Sequence, residues 1–394
     1  LSLSKELEGS SLNHQLGHPS VVTALKESIQ SAEFQAITFR DYMEICLYSE
    51  PYGYYRNERP KIGKQGDFYT SSSIGSVMGE MVASFICKQL NNESPSTKPV
   101  HIVEWGGGNG QMALHIMGEI MRVEPAVYAR LTYTIIESSA YHRQKQRSLL
   151  EEHAQVIHFT SETEWLGQSP QDQVYVFANE LLDAFPVHRI RYKDLLFQES
   201  YVEWQEEEQT FREIWRPISS QRILDFLERS EVQWLDGQIG EINLEAESWV
   251  SRIAERIRSG SCIIIDYGDT AEELFDSHRY NGTLMCYRKH QAQDDPFIHQ
   301  GEQDMTSHVN FSSCQLAARQ GGFTHWKLQT QREFLVEQGI LQRLQDHFDP
   351  NPFSEVSKRN RSIRQLLLSD QMSELFKVFI ASKQSLPNEK KVSR

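Results

Sequence analysis

Val100 to Met112 reads VHIVEWGGGNGQM, an apolar run that ends on the acid Glu104 and then breaks into four glycines, Gly106, Gly107, Gly108 and Gly110. Ile102 and Val103 are β-branched and fit a short buried strand. Glycines at 106, 108 and 110 let the backbone turn sharply and leave no Cβ between the chain and anything lying against it. Met112 to Met121, MALHIMGEIM, continues as a helix. A strand, a glycine loop and a helix N-terminus in that order form a cradle for part of a nucleotide-like ligand, at the carboxyl end of a sheet strand.

The glycine spacing narrows the ligand. A dinucleotide fingerprint needs G-x-G-x-x-G, yet its third glycine, counted from Gly106, falls on Gln111, and its second, counted from Gly107, falls on Asn109. What stands is E-x-G-x-G-x-G from Glu104 to Gly110, which resembles the first motif of class I S-adenosylmethionine-dependent methyltransferases. That resemblance implies S-adenosylmethionine as cofactor. It carries no pyrophosphate, and its sulfonium and ammonium charges favour a nearby carboxylate such as Glu104. Leu131 to Glu137, LTYTIIE, is a second strand ending on an acid, about thirty residues after the loop, as a βαβ unit requires. Glu137 is thereby placed to hold ribose hydroxyls.

The rest of the chain supplies further elements of the same kind. Helical periodicity marks Val21 to Gln30, Thr38 to Tyr48 with Thr38 as N-cap, and Gly79 to Leu90. Gln155 to Phe159, Gln173 to Ala178 and Ser261 to Asp266 read as three more apolar strands, the last two stopping on polar residues. Val187 to Tyr192, Leu195 to Trp204 and Thr210 to Trp215 alternate as an inserted antiparallel ribbon, followed by helices at Gln221 to Arg229 and Leu244 to Ser259. Gln293 to Phe311 reads as a loop, Ser312 to Arg319 as a helix, and Leu375 to Ala381 as a late strand. Alternating strands and helices predict an α/β fold with a mostly parallel sheet covered by helices on both faces. We divide the chain into an N-terminal helical and lid segment over 1–98, the first part of a Rossmann-like core over 99–185, an insertion over 186–260, and the completion of the core with a C-terminal helical region over 261–394.

A net charge of −14 argues against nucleic acid as the main partner, because phosphate binding needs a basic surface, and suits a basic polypeptide substrate. Five scattered cysteines without a C-x-x-C are a poor disulfide framework and point to a reducing compartment. No apolar run reaches membrane-spanning length, so a cytoplasmic setting is expected, or a mitochondrial matrix if the chain is a processed eukaryotic form.

A wider set of blocks resembles the MidA family, whose animal members are mitochondrial complex I assembly methyltransferases. They are Pro51-Tyr52-Gly53-Tyr54-Tyr55, Gly66-Asp67-Phe68-Tyr69-Thr70, Glu104 to Gly110, Glu137, Asn179-Glu180 with Asp183-Ala184 and Pro186, Asp266-Tyr267-Gly268, Gly282-Thr283-Leu284 with Tyr287 and His290, and Asp304-Met305-Thr306 with His308-Val309-Asn310-Phe311. The resemblance implies a protein arginine methyltransferase that forms symmetric dimethylarginine on a complex I subunit; a different protein substrate, a binding role with little catalysis and a small-molecule acceptor are the alternatives. A guanidinium is always protonated and its lone pairs are delocalised, so its site needs carboxylates. Glu180 is the expected guanidinium clamp, Asn179 an orienting acceptor, Asp183 a second carboxylate and His308 a proton acceptor. The competing reading makes Asn179 a helix cap with Glu180 and Asp183 in the first turn. Gly66 to Ser73 has the composition of a lid, with Asp67 facing the cofactor's ammonium. His290, His299 and His308 with Asp304 lack a paired short spacing, and no metal site is expected.

Overall fold

The computed structural model describes residues 16–58, 61, 75–92, 97–345, 351, 353–369 and 374–384. Among these, seven strands build a central sheet: β1 (Val100–Trp105), β2 (Leu131–Ile136), β3 (Ile157–Thr160), β4 (Val174–Asn179), β5 (Gly260–Asp269), β6 (His325–Thr330) and β7 (Phe376–Lys383). Their order is β3-β2-β1-β4-β5-β7-β6, with β7 antiparallel to both neighbours and the strands from β3 to β5 parallel. The two-residue strand Val309–Asn310 pairs parallel to the end of β5.

Both faces of the sheet are covered, which is why the central strands β1, β2, β4 and β5 are buried along nearly their whole length, while the edge strands β3 and β6 are largely exposed or half-buried. Ile102, Tyr133, Ile135, Phe177 and Ile263 pack under the helices Val77–Asn92 and Gln111–Val123 through Met78, Met81, Ile116 and Ile120. Val103, Trp105, Val176 and Ile264 face the helices Leu244–Arg256 and Phe311–Gln320 through Trp249, Ile253, Cys314 and Ala318. The predicted fold class is the one observed.

Register puts the functional ends side by side. Trp105 pairs with Ile136 on one side and Ala178 on the other, and Ile265 pairs with Asn179. Gly106, Glu137, Glu180 and Asp266 therefore all leave the sheet at its carboxyl edge, the place where open α/β sheets bind ligands.

The inserted ribbon forms from His188–Lys193, Leu196–Gln205 and Thr210–Pro217, as its alternation predicts. Two pairings extend it. Ile239–Ile242 pairs with His188–Arg191, and Ala36–Thr38, from the N-terminal segment, pairs with Tyr201–Glu203. Thr38 also caps the helix Phe39–Tyr48, its Oγ1 accepting the Asp41 N–H at 3.1 Å. Tyr42, Met43, Cys46 and Leu47 of that helix share a core with Val187, Val202, Cys286 and Met305. The stretch Gln293 to Phe311, expected as loop, contains Asp304–Thr306, which pairs antiparallel with Met285–Arg288 and sets Tyr287 opposite Asp304. A three-residue strand between irregular segments is too short to show alternation.

Candidate active site

The glycine loop leaves β1 as the sequence requires. Gly106, Gly108 and Gly110 take φ of +68°, +51° and +84°, conformations a side chain would strain, and Gly110 opens the helix Gln111–Val123. A Cβ on Gly106 would come within 2.9 Å of Leu181. The loop borders a cavity whose lining includes Glu104, Gly106 to Asn109, Met112, Glu137, His142, Asn179, Glu180 and Leu181, together with Tyr48, Tyr55 and Lys61 from the N-terminal segment. Strand ends far apart in sequence thus meet around one space.

Glu104 is buried and its Oε2 accepts a hydrogen bond from the Tyr133 hydroxyl at 2.8 Å. Burial pushes its carboxyl up to about 8, the Tyr133 bond opposing and the charge of Glu137 adding. Glu137 is held by the loop it faces: its two oxygens accept the N–H groups of Gly108 at 3.2 Å and Ser139 at 2.8 Å. Its carboxyl is raised, chiefly by burial, against those two bonds. Gln146, fully buried on the helix Ala140–Leu149, donates to the Gly108 carbonyl at 2.8 Å and braces the loop from behind.

On the other side of the loop, β4 ends at Asn179 and no helix follows; the chain turns through Leu182 to Phe185. The helix-cap reading of Asn179, Glu180 and Asp183 is therefore corrected. Asp266 shapes this turn instead. One of its oxygens accepts the N–H groups of Leu181, Leu182 and Asp183 at 3.1, 2.9 and 3.3 Å. Glu180 has φ +51°, a conformation that costs a branched or long side chain about 1–3 kcal/mol and persists only where the surroundings impose it. Its N–H donates to the Ile265 carbonyl at 2.9 Å, and its Oε1 accepts from Asn179 Nδ2 at 3.0 Å. Asn179 and Glu180 both line the cavity. Asp183 lies behind it, fully buried, its carboxyl raised well above the ordinary range by burial and then by Asp266, Asp304 and Glu180.

His308 stands outside the cavity lining. Its ring stacks at 6.4 Å on Tyr267 and its Nδ1 lies 3.1 Å from an Arg279 amino group, while burial and Arg279 push its pKa down to about 4. Asp67 and the expected lid, Gly66 to Ser73, lie outside the described residues. Among those described, no group of three His, Cys, Asp or Glu is arranged to hold a metal ion.

Residues not anticipated as a site complete the wall. Tyr48 and Tyr55 stack at 5.4 Å, Tyr48 donating to the Ala184 carbonyl at 2.9 Å and Tyr55 to Asp304 Oδ1 at 2.8 Å. The Pro51-Tyr55 block was visible as unusually aromatic, yet its meeting with Asp304, across 249 positions, carries no local signal.

Residues 81–328, more than half of the chain, match the family described as "Putative S-adenosyl-L-methionine-dependent methyltransferase". The chain belongs to this family. The MidA-type motifs are thus a methyltransferase's motifs, and S-adenosylmethionine is its cofactor. The chain is similar to the Drosophila melanogaster protein named protein arginine methyltransferase NDUFAF7 homolog, mitochondrial, with 29% identity over 370 residues covering 86% of this chain and 78% of the relative. The Homo sapiens protein arginine methyltransferase NDUFAF7, mitochondrial, is 24% identical over 371 residues, 87% of this chain and 79% of its own. The crystal structure of a Burkholderia thailandensis protein bound to S-adenosyl-homocysteine superposes with a TM-score of 0.81 at 25% identity, covering 92% of each chain.

The cavity of this methyltransferase suits a cationic cofactor. Glu104 and Glu137 are two acids whose ionised forms burial disfavours, side by side at a glycine cradle. A sulfonium and an ammonium brought into that space supply the charge that would let both ionise.

Proposed function

We propose that the enzyme methylates arginine side chains of a protein, forming symmetric dimethylarginine, and that its target is a subunit of a respiratory complex. The observation that carries this reading is Glu180, held at positive φ with its carboxylate oriented by Asn179, in the same cavity as the glycine loop. The names of the fly and human relatives support the choice of arginine.

The cofactor supplies an electrophilic methyl whose departure leaves a neutral thioether. The protein's part is to bring a guanidinium nitrogen in line with that methyl and to localise charge away from it. Glu180 pairs with the guanidinium fork, and Asn179 holds the carboxylate in the pairing orientation. As the C–N bond forms and the C–S bond breaks, the electron pair passes to sulfur. The proton lost by the nitrogen passes to Glu180 and from there to water. Asp183, kept toward its protonated form, leaves Glu180 as the charged partner, and His308, outside the lining, is not needed as acceptor. The stacked rings of Tyr48 and Tyr55 add a face that attracts a cation.

The relatives are named as mitochondrial, and by this reading the enzyme works in a matrix or in the bacterial cytoplasm that corresponds to it. Five buried thiols without a disulfide suit either. No helix among the described residues is long and apolar enough to cross a membrane. The test is to incubate the enzyme and methyl-labelled cofactor with lysate from a strain lacking it, hydrolyse the labelled protein and separate the amino acids. Label in symmetric dimethylarginine supports the proposal; label in another amino acid or in small molecules alone refutes it.

A further inference from the structure

We infer that Lys61 holds the α-carboxylate of the cofactor's amino-acid end. The inference rests on the cofactor occupying the glycine-loop cavity. S-adenosylmethionine brings two positive groups and one negative group into that space, and each needs a partner when water is displaced. The described lining offers three acids, Glu104, Glu137 and Glu180, for the positive groups, the ribose and the acceptor, and one side-chain cation, Lys61. His142 lines the same wall, but burial, with Lys61 and Lys145 adding, pushes its pKa down to about 4, so it stays neutral and does not supply the charge.

Lys61 is only 3% exposed, and it is held in place at the cavity wall. Its ammonium donates to the Asn57 carbonyl at 3.0 Å and to Asn57 Oδ1 at 2.6 Å, and sits 5.5 Å from the Tyr54 ring centre. Asn57 is itself fixed, its N–H donating to the Gly53 carbonyl at 3.0 Å, while Tyr54 and Tyr55 donate to the Cys46 and Leu47 carbonyls of the helix Phe39–Tyr48. The aromatic turn of the N-terminal segment therefore brings a buried positive charge to a cavity whose other charged side chains, among the described residues, are the acids Glu104, Glu137 and Glu180. The chemistry that fits is a carboxylate on a cationic ligand.

Calorimetry with three ligands tests this: S-adenosylhomocysteine, its analogue lacking the carboxylate, and 5′-methylthioadenosine, which lacks the amino-acid end. The wild-type enzyme should prefer S-adenosylhomocysteine over the descarboxy analogue by about tenfold to a hundredfold, the range of one charge-assisted hydrogen bond. Lys61→Met should bring that ratio close to one and leave methylthioadenosine affinity unchanged, and Lys61→Arg should restore most of the ratio. A ratio that survives Lys61→Met overturns the inference, because the carboxylate is then held elsewhere. Parallel loss of methylthioadenosine binding also overturns it, since Lys61 would then only support the fold. If the wild-type enzyme binds none of the three, the cavity assignment itself fails, which is a separate result.

Discussion

Glu104 makes cofactor binding depend on pH in a direction fixed by its burial. Its carboxyl is pushed up to about 8, first by desolvation, with the charge of Glu137 adding and the Tyr133 hydroxyl opposing. The neutral form therefore dominates below that value in the free enzyme, and the ionised form dominates above it. A sulfonium or ammonium binds the ionised form better, so binding at neutral pH must first remove a proton. A carboxyl of that pKa is ionised in roughly one molecule in ten at about pH 7 and in roughly nine in ten at about pH 9, so affinity should rise about tenfold across that interval. Titration calorimetry in two buffers of different ionisation enthalpy should also show release of close to one proton at the lower pH. Glu104→Gln should flatten the profile and lose affinity mainly at high pH. A wild-type profile that is flat, or an equal slope in the Gln variant, would refute the reasoning and move the linkage to Glu137, the other raised acid facing the loop.

Gly108→Val should reduce cofactor affinity by at least about tenfold and cost about 1–2 kcal/mol of stability, since a β-branched residue is strained at φ +51°; unchanged calorimetric affinity would place the cofactor elsewhere. Asp266→Ala strips the shared acceptor from three N–H groups of the Glu180 loop and should destabilise the protein by about 2 to 4 kcal/mol, while Asp266→Asn, which keeps an acceptor oxygen, should lose less; denaturant midpoints compare them. Arg359→Ala leaves Glu80 without a two-bond partner at 2.6 and 2.8 Å and should lower the melting temperature, with little change in cofactor affinity.

The sheet was legible because its four central parallel strands, β1, β2, β4 and β5, are apolar on both faces and reach a polar residue at their carboxyl ends. Glu104, Glu137, Asn179 and Asp266 mark those ends in the sequence, and register then gathers them at one edge. What each acid does once gathered was less legible. Asp266 and Asn179 read alike as strand-end polar groups, yet Asp266 turns inward to cap a loop and Asn179 faces the cavity. Asp183 was expected as a second carboxylate of the site, but the non-helical turn after β4 buries it outside the cavity lining, while Glu180 faces the cavity. The pairing of Ala36–Thr38 with the ribbon, Ile37 opposite Val202, and of Tyr55 with Asp304 joins residues 165 and 249 positions apart. Such pairings are set by shared burial in the core of Tyr42, Val202 and Met305, which local periodicity does not encode.

The central claim is that Glu180 clamps the methyl acceptor, and Glu180→Gln tests it most directly. Cofactor affinity, melting temperature and single-turnover methyl transfer to arginine should be measured on the same preparation. The account predicts unchanged affinity and stability with transfer slowed about tenfold to a thousandfold, the worth of a desolvated charged hydrogen bond. A Glu180→Gln enzyme that is stable, binds cofactor and transfers methyl at the wild-type rate would contradict it.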